Sequence, residues 1–232
     1  MKRPFKKTKG RIQTSYISRF AQFSTLTGLL LCISVAGRAD TLVQIFNQAS
    51  QNADSEISWN QLGGDQTQVS PSTSLGSTNG LIAIITLAGN GGLISVICSD
   101  GNRPPSAKYC SWTGAGFPAV DLGRANRVLW TTDQSNGGTG PVTVAFMHPV
   151  AGAGALIQAD APGQFIARIE AFNGSTSLGA FTATSDSAGD AVYAGLQDTS
   201  GANITSVVFR LTRCSGSCAD FALDAIQLNT AQ

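Results

Sequence analysis

Histidine, lysine and glutamate are scarce in this chain, and their scarcity excludes whole classes of chemistry. His148 is the only histidine in 232 residues. A Ser-His-Asp mechanism needs an imidazole to take the serine proton, yet His148 stands between Met147 and Pro149, and no G-x-S-x-G or S-x-x-K segment occurs. After Asp40 the chain keeps one lysine, Lys108, and two glutamates, Glu56 and Glu170. A stretch so poor in Glu and Lys, and rich in Thr, Val, Ile and Gly, disfavours helices and suits short strands joined by tight turns. The apolar run from Leu26 to Ala36 is about eleven residues and is interrupted by Ser34, short of the ~18–20 that a membrane-spanning helix needs.

What surrounds that run is informative. Lys2, Arg3, Lys6, Lys7, Lys9, Arg11 and Arg19 precede it, and Gly37-Arg38-Ala39-Asp40 closes it. Basic lead, short greasy core and small-residue exit read as a secretory signal over residues 1–39. The cut is expected after Ala39, with Ala36 as the alternative and an uncleaved anchor as the competing reading, because the basic lead is long. Cys32 follows Leu31 rather than the small residue expected before a lipidated cysteine, so it belongs to the greasy core. Cleavage changes the charge: eight of the fifteen Lys and Arg precede Asp40 while all fourteen acids lie at or after it, leaving seven against fourteen, a net of −7. A net acidic chain with scattered positive residues lacks the electrostatic footprint of a nucleic-acid or membrane-surface binder.

Residues 40–232 read as a single all-β domain, an antiparallel β-sandwich of two packed sheets. Short apolar stretches recur at 42–46, 81–87, 93–98, 127–130, 142–147, 155–159, 164–172, 177–183, 191–196, 204–211 and 221–228, separated by turn formers such as Ser77-Thr78-Asn79-Gly80 and Ser135-Asn136-Gly137-Gly138. Alternation supports this: Val142, Val144 and Phe146 share one face of their strand, as do Val207, Phe209 and Leu211, the pattern of a strand with one buried side. Phe221 and Leu223 keep one phase while Ile226 and Leu228 take the other, so a bend is expected near Asp224 and Ala225. Ala151-Gly152-Ala153-Gly154-Ala155 reads as a tight entrance to the strand that follows it.

Four cysteines follow the signal: Cys98, Cys110, Cys214 and Cys218. An even number in an exported chain favours disulfides. Three pairings are open, and spacing favours Cys98 with Cys110 and Cys214 with Cys218. The competing zinc site lacks a paired C-x-x-C arrangement and has His148 only at a distance in sequence.

Candidate sites are few. Glu170 shares a strand face with Arg168, which predicts an ion pair rather than a glycosidase acid, and Glu56 lies far from it in sequence. Asp198-Thr199-Ser200-Gly201 reads as a turn. Asp54 and Glu56 near the start, with Asp220 and Asp224 near the close, supply the oxygens a structural Ca2+ would need if the end strands are neighbours. Trp59, Trp112 and Trp130 offer flat apolar faces. Trp112, in a loop directly after Ser111, is the expected exposed ligand-stacking residue.

The second half has a further feature. Phe146-Met147-His148-Pro149-Val150-Ala151-Gly152-Ala153-Gly154-Ala155, Gly163-Gln164-Phe165, Ala171-Phe172, Leu178-Gly179 and Asp220-Phe221-Ala222-Leu223-Asp224 resemble the extracellular β-sandwich domain of secreted bacterial proteins of the PEP-CTERM type, which is similar to the jelly rolls of galactose-binding and carbohydrate-binding modules. The resemblance covers about residues 141–228. It implies a jelly roll, and a calcium tying Asp224, with Asp220 beside it, to Glu56 or Asp54 on the first strand. The Pro-Glu-Pro segment, apolar helix and basic tail of that family are not seen among these residues, so release into the medium or periplasm is expected. The expected function is non-catalytic binding of a carbohydrate or surface polymer. A structural matrix protein and a glycan-active hydrolase or lyase are the alternatives.

Overall fold

The computed structural model describes residues 42–70, 72–87, 94–99, 112, 126–132, 140–216, 218 and 220–230. The expected signal, residues 1–39, and Cys110 lie outside them. The described strands are β1 (Leu42–Ile45), β2 (Ser55–Ile57), β3 (Thr67–Val69), β4 (Thr73–Gly76), β5 (Ile82–Leu87), β6 (Ile94–Ser99), β7 (Asn126–Trp130), β8 (Val142–Ala159), β9 (Phe165–Asn173), β10 (Thr176–Thr184), β11 (Val192–Asp198), β12 (Ile204–Cys214), β13 (Phe221–Leu223) and β14 (Ile226–Thr230). One helical turn, α1 (Gln48–Gln51), and a 3-10 turn at Trp59–Leu62 complete the elements. Every strand pairing is antiparallel, and the protein is all-β.

Strand β8 organises the rest. From Val142 to Phe146 it runs between β5 and β12, with Val144 opposite Ile85 on one side and Val207 on the other. From Val150 to Ala159 it runs between β11 on one side and β14 and β13 on the other. Between the two stretches the ladder with β12 slips, because Ser206 faces Ala145 whereas Ile204 faces Val150. The extra residues bulge outward as exposed Met147, His148 and Pro149. Proline has no N–H to give a ladder, and a bulge is where a central strand tolerates it. The sequence pattern predicted two strands here, joined through the Ala-Gly stretch. Instead the stretch is itself strand, and the interruption falls on the proline.

The alternating positions converge on one core. Val142, Val144, Ile85, Val207, Phe209 and Ile169 from one half of the sheet share an apolar cluster with Ile157, Leu196, Leu223, Ile226 and Leu228 from the other. Strand β11 also approaches β9 and β10 without pairing with them. The sheet therefore curls about β8 so that its halves bury their inner faces together. The bend expected near Asp224 and Ala225 is present as the gap between β13 and β14. The outer face of β6, β7 and β13 carries a second, smaller cluster of Ile97, Val128, Ala222 and Trp112.

Cys214 and Cys218 form a disulfide with Cα atoms 5.4 Å apart, fastening the end of β12 to the approach of β13. Cys98, buried on β6, is disulfide-bonded too. Among the described residues no helix is long and apolar enough to cross a membrane. Closing so small a ring restricts the unfolded chain by about 2 kcal/mol. The double substitution Cys214→Ser, Cys218→Ser is expected to lower unfolding stability by that amount in urea titrations, and an unchanged midpoint would show that the bridge contributes nothing.

Candidate functional site

The local sequence around α1 builds a polar clasp on the outer face of the sheet. Asn47 caps the turn, its side chain accepting from the Ser50 N–H at 2.8 Å, and Asn52 closes it in the left-handed conformation at φ 48°. Within α1 only Gln51 is buried. Its Nε2 donates to Asn229 Oδ1 at 2.6 Å, and its Oε1 accepts from the Tyr193 hydroxyl at 3.0 Å. Asn229 Nδ2 in turn donates to the carbonyls of Gln51 and Asn52, both at 2.9 Å. Burial pushes the Tyr193 hydroxyl well above the ordinary tyrosine pKa, so it stays protonated as a donor.

The clasp needs glycine beneath it. Gly195 on β11 faces Gly154 on β8, and a Cβ at either position would collide with the Tyr193 ring or hydroxyl. The Ala-Gly stretch of β8 therefore serves close packing of a polar aromatic side chain on the strand backbone.

Two clefts flank the clasp. On the N-terminal side of α1 a groove of about 490 Å3 is lined by Gln44, Phe46, Asn47 and Gln48, by Leu156, by Thr182 to Thr184 of β10, and by Val192 and Tyr193 of β11. Phe46 is 74% exposed, the most exposed of the large apolar side chains among the described residues. Gln44 Nε2 donates to the Thr182 carbonyl at 2.8 Å and ties the two walls. On the C-terminal side of α1 a second cleft, about 520 Å3, is bordered by Asn52, Asp54, Gln197, Asp198, Asn229 and Thr230. Asp198 there accepts from the Ser200 N–H at 2.8 Å, the Ser200 hydroxyl at 2.6 Å and Asn203 Nδ2 at 2.8 Å, the turn that its sequence predicted.

The residues singled out from sequence fall elsewhere. Trp112 was expected as an exposed stacking face, but it is only 4% exposed. Its indole N–H donates to Gln158 Oε1 at 2.9 Å, its backbone N–H to the Cys98 carbonyl at 3.0 Å, and its ring packs in the outer cluster. Covering that cluster, which water would otherwise reach, explains the burial. Trp59 is buried as well and donates to the Leu223 carbonyl at 2.9 Å, while Trp130 donates to Asp220 Oδ2 at 2.6 Å.

The end strands are neighbours as expected, with Ser55 opposite Leu228 and Ile57 opposite Ile226. The acids they carry are engaged by protein donors. Asp54 accepts from the Thr230 N–H and hydroxyl, both at 2.9 Å, and Glu56 from Gln227 Nε2 at 2.8 Å. Asp220 and Asp224 are buried at the two ends of β13. Among the described residues no three His, Cys, Asp or Glu side chains gather as a metal would require. Glu170 is bound by Arg168 at 2.7 Å and by the Ser177 hydroxyl at 2.8 Å, the ion pair anticipated from their shared face. Its strand lies between β10 and β12, whereas Glu56 is on β2 beside β14.

Sequence reasoning missed Phe46. A signal was available: the residue before a helix N-cap usually packs on an apolar residue four positions into the helix, and here that position is Gln51, turned into the sheet. Phe46 is left with no apolar partner on its own turn.

Compared with protein-family models, curated proteins and solved structures, the chain matches none.

Substituting Gly154→Ala forces Tyr193 off the sheet and is expected to cost about 1–3 kcal/mol by overpacking. Chemical denaturation measures it, and a loss below the ~0.5 kcal/mol typical of a surface substitution would show that the ring does not rest there.

Proposed function

We propose that this chain is a secreted, non-catalytic binding protein of jelly-roll architecture whose ligand is a carbohydrate or surface polymer. The groove beside α1 carries this reading. It joins an exposed aromatic ring, Phe46, to amides of Gln44, Asn47 and Gln48 and hydroxyls of Thr182 and Thr184. A sugar presents the complementary surface: an apolar ring face that an aromatic side chain covers, edged by hydroxyls that pair with amides. Polar groups fixed around an apolar patch are the usual anatomy of a small-ligand site. The Cys214–Cys218 disulfide is compatible with an oxidising, extracellular compartment, and so supports the export that the basic leader implies.

One observation favours a second reading, a structural matrix protein. Strand β10 pairs only with β9 among the described strands, and its nine residues include no charge and no proline. Such an edge lacks two of the features that normally prevent strand pairing between copies, charge and proline, and keeps only the irregularity at Ser177 to Gly179 and the Gln44 bond to the Thr182 carbonyl. Concentration-dependent sedimentation without glycan binding would select it.

The primary reading is tested by a glycan array with calcium and then with a chelator. Saturable binding is expected in both conditions, because the groove's polar groups are amides and hydroxyls. Phe46→Ala should weaken it about tenfold, the equivalent of about 1.4 kcal/mol. Met147→Ala, which removes another exposed apolar side chain at the β8 bulge, should leave binding unchanged. Equal losses from both substitutions, or no binding at all, would contradict the proposal.

A further inference from the structure

Resting on the glycan-binding reading above, we infer that the second cleft is a further subsite of the same face, and that the ligand is an internal stretch of an extended, neutral, linear polysaccharide rather than a single sugar or a chain end. The two clefts share one strand pair. Tyr193 faces Leu156 in the first, Gln197 faces Gly152 next to the second, and Gly195 faces Gly154 midway. These positions alternate with the inward-facing Ala194 and Leu196, so all lie on the outer side of the sheet. Four residue steps of strand, Tyr193 to Gln197, separate the clefts, about 13 Å at roughly 3.3 Å per residue, a span that one extended chain can bridge.

Between them stands α1, held by the Tyr193, Gln51 and Asn229 hydrogen bonds. Its exposed residues are Gln48, Ala49 and Ser50, a neutral ridge over which a hydroxyl-rich chain passes without desolvating a charge. The second cleft supplies groups of the kind found in the first, the Gln197 and Asn52 amides, set beside Asp54 and Asp198, whose carboxylates are held by Thr230, Ser200 and Asn203 and keep the cleft wall in place. Linking two modest subsites through one ligand makes the second contact intramolecular, which raises affinity with chain length.

The experiment is calorimetric titration of the full chain with cello- and xylo-oligosaccharides of two and six units. The six-unit chains should bind at least tenfold more tightly than the two-unit ones. Gln197→Ala, and separately Ala202→Trp to fill the second cleft, should remove most of that advantage, while Met147→Ala, outside both clefts, should leave both lengths unchanged. Phe46→Ala should weaken both lengths. Equal affinity for both lengths, insensitive to Gln197→Ala and Ala202→Trp but lowered by Phe46→Ala, would overturn the second subsite and leave the glycan-binding reading intact. Absence of binding at every length would overturn both.

Discussion

Strand β8 pairs with five other strands along its eighteen residues, and the placement of nearly every other element follows from how it divides them. A single strand that serves two halves of a sheet must present its buried side to one core throughout. A one-residue slip would send its whole inward set to solvent. The bulge at Met147, His148 and Pro149 is where the chain absorbs the change of neighbours from β5 and β12 to β11, β13 and β14. On its inner side β8 contributes Val142, Val144, Val150 and Ile157 to the core. Its outer side, made of glycine at Gly152 and Gly154, is low enough for other side chains to lie on it.

That low outer side explains why the proposed ligand surface lies in this region. Burying Gln51, Tyr193 and Asn229 is costly unless each polar atom is matched, and they match one another with bonds of 2.6 to 3.0 Å. A satisfied network of this kind holds one arrangement. It fixes α1 on the sheet, and thereby fixes Phe46 and Asn47 at the rim of one cleft and Asn52 at the rim of the other. A rigid scaffold under short connecting segments is the usual way a β fold offers side chains to a ligand.

Much of the fold was legible because buried strands must alternate. Val142, Val144 and Phe146, Val207, Phe209 and Leu211, and the phase change at Asp224 and Ala225 all announced their roles, as did the local pairing of Cys214 with Cys218. The short strands β2, β3 and β4 were not legible. At three or four residues they carry too little alternation, and their strand state comes from the edges of β14, β6 and β5 that recruit them. The Ala-Gly stretch of β8 read as an entrance because glycine disfavours strands by itself, and only the ring of Tyr193 above it reveals why it is there. Trp112 misled for a related reason: local sequence placed it in a loop, but the buried outer-face cluster it joins is assembled from β6, β7 and β13, far apart in the chain.

The claim that the outer face of β8 and β11, clamped by α1, is the ligand surface is tested most directly by amide chemical-shift mapping during titration with a six-unit cello- or xylo-oligosaccharide. Shifts are predicted at Gln44 to Gln48, at Thr182 to Thr184, at Val192 and Tyr193, and at Gln197 to Ala202. Shifts confined to the Arg168 and Glu170 face of β9, or to the surroundings of Trp112, would contradict it.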